Sequence, residues 1–292
     1  MKLFRKRGRR FSMSFSRRFL LDAGVKATIS LPLWMQSALA RATGRDRATM
    51  LTPAAYREAT KNRLVVIDPG HGGHDPGCIG SGNLYEKNIA LSAAWDLRRA
   101  LQRGGYEVVM TRARDIFIPL QTRVDIAEKH KAALFLSMHA NSVAPDTKVR
   151  GASVYTFSDH ASDRLAAAIA SSENNVERIS DPRFRGVSPQ VGKILFSLMA
   201  HSTKIESLLL QHKMVGSLSR EVTMLNNPAR HATFAVLQSS AIPSVLVETA
   251  FLSNPQDEAA LRTNAFRERI AASMKSAVDA WFLAKQHAVA NL

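Results

Sequence analysis

Short apolar, β-branched runs alternate along this chain with longer amphipathic segments, and that alternation constrains the fold more than any other feature. Leu64–Asp68, Tyr106–Met110, Ala133–Met138, Ala152–Phe157, Phe234–Leu237 and Val245–Glu248 read as six strands. They are near-continuous apolar runs, as expected of strands buried on both faces of a sheet. Between them, 88–102, 119–130, 162–176, 205–222 and 264–285 carry helical patterning, with Ile270, Met274, Ala277, Val278 and Trp281 along one side of the last. Gly104-Gly105 ends the first of these helices and Pro119 opens the second. The expectation is an α/β class, single-domain layered fold: a mostly parallel central sheet of about six strands flanked by helices. Residues 178–204 break the alternation, with a turn-prone stretch (Ser180-Asp-Pro-Arg-Phe-Arg-Gly186) and then a short apolar helix, Gln190–Ala200. They read as an inserted helical segment, with the domain itself spanning 63–285 and a tail at 286–292.

The ends of the chain bear on where it works. Residues 1–40 hold nine Lys/Arg against one acid, Asp22, so half of the formal +16 sits there. A basic start, the pair Arg17-Arg18 before Phe19-Leu20-Leu21, a moderately apolar stretch and a Ser37-Ala-Leu-Ala40 end have the layout of an export signal of the twin-arginine kind. Asp22 and Lys26 make the stretch too polar for a stable membrane span. The expectation is cleavage after Ala40, a linker at 41–62, and a periplasmic location. The remaining positive charge suits anionic polymers in general. No base-stacking aromatics interleave with it, so a nucleic-acid partner is not expected. The single cysteine, Cys78, excludes an internal disulfide.

In an open α/β sheet, ligands bind outside the carboxyl ends of the strands. The first strand runs into Asp68-Pro-Gly-His-Gly-Gly-His-Asp-Pro-Gly77, a turn-forming loop carrying His71, His74 and Asp75. The third delivers His139 and Asn141, the last ends on Glu248, and Glu86, just before the first helix, can reach the same edge. Singly, His71 could serve a turn, His139 could be a satisfied strand-end histidine, and Glu86 could simply favour a helix N-terminus. Together, two histidines and a carboxylate with an open position suit a catalytic zinc ion, although manganese or iron could occupy such a set. Glu248 is then placed to act as a general base that is not a ligand. His74 and Asp75 read as loop or supporting groups. The glycine loop matches neither common phosphate-binding spacing.

Asp68-Pro-Gly-His-Gly-Gly73, Tyr85-Glu-Lys87, Ser137-Met-His-Ala-Asn141 and Val247-Glu-Thr-Ala-Phe-Leu-Ser-Asn254 together resemble the zinc-dependent N-acetylmuramoyl-L-alanine amidases of bacterial cell division. The resemblance runs from about Arg63 to Phe282. It implies one zinc ion held by His71, Glu86 and His139, with Glu248 as the catalytic residue. It further implies peptidoglycan as the substrate, with cleavage between N-acetylmuramic acid and L-alanine during daughter-cell separation. Some members carry an inserted helix that blocks the zinc until an activator protein moves it, and a carboxylate from that insertion can approach the metal. Residues 178–204 stand where it would lie, and Leu195, Phe196, Leu198 and Met199 could form an activator surface or pack into the core. Pro189–Ala200 holds no acid; the nearest are Glu173, Glu177, Asp181 and Glu206. Two other readings stay open from sequence: another zinc peptidase or deacetylase, and a non-catalytic wall-binding regulator.

Overall fold

The computed structural model describes residues 62–143, 146–180 and 190–290, with backbone alone described for 176–180, 190–201 and 289–290. The expected export signal, most of the linker, residues 181–186 of the turn-prone stretch and the activator-surface residues therefore lie outside the described side chains.

Six strands form one sheet: β1 (Leu64–Pro69), β2 (Glu107–Met110), β3 (Leu134–Asn141), β4 (Ala152–Phe157), β5 (Met224–Ala232) and β6 (Ser244–Phe251). Their spatial order is β2-β1-β3-β6-β4-β5. Every neighbouring pair is parallel except β4–β6, so β4 and β5 run against the other four. The carboxyl ends of β1, β3 and β6 consequently share one rim with the start of β4.

Alternation across the pleat sorts the side chains into two cores. Val65, Ile67, Leu134, Leu136, Met138, Val245 and Val247 face one way. There they meet α1 (Glu86–Arg103), α4 (Gln190–Leu218) and α6 (Asn264–Ala290), with Leu97, Met214 and Trp281 filling the layer. Val66, Phe135, Tyr155 and Leu246 face the other way, under α2 (Leu120–Lys129) and α3 (Arg164–Ser180), against Ala127, Ile169 and Ala170. Continuing along the strands, Asp68, Ser137, His139 and Glu248 belong to this second face, where hydrophobic packing gives way to the polar rim. A short helix, α5 (Pro255–Leu261), follows β6, capped by the Asn254 side chain, which accepts from the amides of Gln256 and Asp257.

Four expectations are corrected. Phe234–Leu237 is not a strand: Ala235–Leu237 is a single 3-10 turn whose Phe234, Val236 and Leu237 are buried as a plug. The fifth strand is instead Met224–Ala232, an edge strand with exposed polar positions and a proline, which an edge tolerates because one side of its backbone is unpaired. The helices expected at 190–200 and 205–222 are one helix of 29 residues. β3 and β6 also run further than expected, because their parallel pairing continues through His139 opposite Glu248. His139, expected just past the third strand, therefore sits on β3 itself.

Candidate metal centre

The loop after β1 is built to hold His71. His71 lies in the left-handed region at φ 60°, an uncommon conformation for a residue with a side chain. Two buried arginines hold the loop backbone. Arg123 donates to the carbonyls of Pro69 (2.9 Å) and His71 (2.9 Å), and Arg112 to those of Pro69 (3.0 Å), Gly70 (2.7 Å) and Lys87 (2.8 Å). Asp68, fully buried, accepts from Thr111 (2.6 Å), Ser137 (2.9 Å) and Arg123 (3.0 Å). Burial pushes the Asp68 carboxyl up, but Arg123 and the two hydroxyls outweigh it and hold the group below its ordinary range. Lys87 and Asp115 tie down the outer part, meeting each other at 2.7 Å and Gly73 from either side.

Four side chains converge inside this frame. The Nε2 of His71 lies 3.0 Å from Glu86 Oε1, and the Nδ1 of His139 lies 3.1 Å from the same oxygen. The two ring nitrogens are 3.1 Å apart. The fourth is Glu173, on α3: its Oε2 is 3.3 Å from His71 and 3.2 Å from His139. One donor atom from each of the four lies within 4.8 Å of the others, and all four residues are buried. His71, Glu86 and His139 are thus brought together as expected from sequence. Glu86 is already the first residue of α1, where its charge also favours the helix N-terminus. Glu248 stands in register beside His139.

Supporting contacts fix which atoms face inward. Asp75 Oδ2 meets Nδ1 of His71 at 2.8 Å, leaving Nε2 for the centre. Cys78 and Ala140 donate backbone amides to Glu86 at 2.8 and 2.9 Å. Gly70 is required by close approach, since a Cβ there would collide with the His139 ring. His74, by contrast, lies against Phe117.

The electrostatics fit a divalent cation. Burial would lower the pKa of His71, yet the carboxylates of Glu86 and Glu173 raise it well above the ordinary histidine range. Burial would raise Glu86, yet His71 and His139 pull it well below the usual glutamate range. Glu173 is raised by burial despite both histidines. Glu248 is pushed well above its ordinary value by burial and then by Glu86 and Glu173. Three buried carboxylates thus face two imidazoles, an excess of negative charge that a dication would relieve. Imidazole nitrogens with carboxylate oxygens are a donor set that zinc accepts. The Cys78 thiol is driven up by burial and by Glu86, so it offers no thiolate here.

Sequence pattern does not mark Glu173 as a member of the cluster: it is one of the acids nearest the insertion, on a helix of ordinary patterning. Its one local hint is that it is an acid on the helix preceding the irregular segment.

A sequence profile described as N-acetylmuramoyl-L-alanine amidase matches residues 65–280. N-acetylmuramoyl-L-alanine amidase AmiA of Escherichia coli is 35% identical over 273 residues, covering 91% of this chain and 92% of its own. An AmiC of Neisseria meningitidis is 35% identical over 80% of this chain and 56% of its own. Among solved structures, the amidase AmiC2 of Nostoc punctiforme superposes with a TM-score of 0.53 at 26% identity, over 76% of this chain and 98% of that one. The catalytic domain of CwlV from Paenibacillus polymyxa gives 0.55 at 25% identity, over 75% and 97%. With this fold and these relatives, the chain belongs to the N-acetylmuramoyl-L-alanine amidase family, enzymes of peptidoglycan hydrolysis.

Proposed function

We propose that this amidase hydrolyses the bond between N-acetylmuramic acid and L-alanine with one zinc ion held by His71 Nε2, Glu86 and His139 Nδ1, and with Glu248 as the base. The observation that carries the reading is the meeting of those three donors on one rim, with Glu248 the strand neighbour of His139. A bound zinc ion supplies a Lewis acid that polarises the scissile carbonyl and acidifies water. Glu248 takes the attacking water's proton on a carboxylate oxygen and passes it to the leaving amine of L-alanine. Asp75 holds the His71 ring, and the amides of Cys78 and Ala140 hold Glu86. Digestion of purified sacculi with and without a chelator tests this. New free amine on L-alanine with intact glycan, abolished by the chelator, is expected; cleavage elsewhere, or indifference to the chelator, would refute it.

The same reading makes the described state an inhibited one. With Glu173 beside His71, Glu86 and His139, four protein donors would fill a tetrahedral site, whereas catalytic zinc keeps one position open. The blocking carboxylate comes from α3 rather than from the inserted 178–204 segment, most of whose side chains lie outside the described set. Asn174, next to Glu173, pins this part of α3 by donating to the Thr233 carbonyl (2.6 Å) and accepting from the Ala235 amide (2.8 Å). Glu173→Ala is expected to raise basal wall hydrolysis by roughly tenfold or more, the gain when a minor open state becomes dominant. Asn174→Ala should give a smaller rise. Rates equal to the parent's, with the ion still bound, would exclude the block. An activator protein that draws α3 and the insertion away would have the same effect.

The localisation proposed is the periplasm, reached by the twin-arginine route, with a role in septal cell separation. Among the described residues no helix is long and apolar enough to cross a membrane.

A further inference from the structure

Asn141 is a buried polar side chain that the chemistry above leaves unused. It lies two residues past His139 on β3 and is 4% exposed. Alternation along β3 puts Ser137, His139 and Asn141 on one face, the face that carries the metal cluster. The bulge at this point falls on β6, where three residue steps from Glu248 to Phe251 match two from His139 to Asn141, so β3 keeps its alternation. The orientation of the amide is set, because its Oδ1 accepts the Ser142 backbone amide at 2.6 Å. Its Nδ2 is then a buried donor without a hydrogen-bond partner among the described residues. Native proteins rarely leave such a donor unmatched, and a place in ligand recognition is one of the few reasons they do.

Strand rise places Asn141 about 7 Å along β3 from His139, roughly two residues of an extended peptide.

We propose that Asn141 Nδ2 donates to a carbonyl oxygen of the substrate's stem peptide about two residues from the scissile bond. Asn141 is thus a substrate-positioning residue. The inference rests on the metal centre and Glu248 marking the reaction point.

Steady-state kinetics on a soluble disaccharide-peptide fragment of peptidoglycan test it, in the full chain and again with Glu173→Ala. Asn141→Asp keeps the acceptor for the Ser142 amide and removes the donor; Asn141→Ser removes the donor without adding charge. Both should raise KM about tenfold, the usual range for losing one hydrogen bond to a buried partner. The change in kcat should stay within about threefold, with zinc content and melting temperature unchanged. A normal KM in both variants would overturn the proposal. So would a rise in Asn141→Asp alone, which charge repulsion explains, or a loss of zinc or folding in step with activity, which makes Asn141 structural. If the Glu173→Ala form with Asn141 intact fails to release L-alanine amine, the proposed reaction fails instead.

Discussion

Glu248→Gln is expected to lower kcat on peptidoglycan by about 10²–10⁴-fold, the range a positioned general base contributes. The substitution keeps size and shape but leaves no oxygen that can take a proton. Glu248 is 1% exposed, and neither of its oxygens has a hydrogen-bond partner among the described residues. An amide there disturbs no existing pairing, so folding and zinc content should survive. The pH profile gives a second signature. Burial, then Glu86 and Glu173, push Glu248 upward, and only its ionised form can act as the base. The parent's rate should therefore rise with pH through the Glu248 pKa, which a bound dication draws back down. In Glu248→Gln that acid limb should vanish along with most of the rate. A variant retaining a tenth of the parent's kcat would assign the base to another group.

Arg123→Ala should produce the largest loss of stability, about 3–5 kcal/mol, because it strands Asp68 as a buried charge without its partner. Both groups are at most 2% exposed, so water cannot replace the guanidinium. The variant also removes donors to the Pro69 and His71 carbonyls, which hold the loop carrying His71. The sign with pH follows from the direction of the Asp68 shift. Its folded pKa lies below the unfolded value of about 3.9, so the unfolded chain binds more protons between the two values. The contribution is complete above the unfolded pKa and is lost as pH falls through the folded one. In Arg123→Ala burial acts on Asp68 against the two hydroxyls and His139 without the guanidinium, and the acid-unfolding midpoint should move to higher pH. Urea unfolding at neutral pH and an acid titration followed by circular dichroism check both parts. A loss under 1 kcal/mol would mean that the guanidinium is not what stabilises the buried carboxylate.

The parts of this molecule legible in the sequence are those set by local pattern. β1, β3 and β6 announce themselves as apolar runs, and His71, His139 and Glu248 follow because parallel strands deliver their carboxyl ends to one rim. Glu86 was legible by proximity to the start of α1. Glu173 was not: nothing in its run of small and polar neighbours separates a carboxylate aimed at His71 from one facing water. Only the packing of Ile169 and Ala170 under the sheet brings it there. β5 was hidden for the opposite reason. As an edge strand with polar exposed positions it lacks the apolar run that marks the others, while Phe234–Leu237 has that run and spends it on a buried turn.

Crystals of the protein measured on both sides of the zinc absorption edge would address the proposed centre most directly. The expected result is one anomalous peak per chain, roughly 2.0–2.2 Å from His71 Nε2, His139 Nδ1 and a Glu86 oxygen, with a fourth position held by Glu173 in the parent and free of protein in Glu173→Ala. An ion bound elsewhere, or a zinc-replete protein with no density among these side chains, would contradict the account.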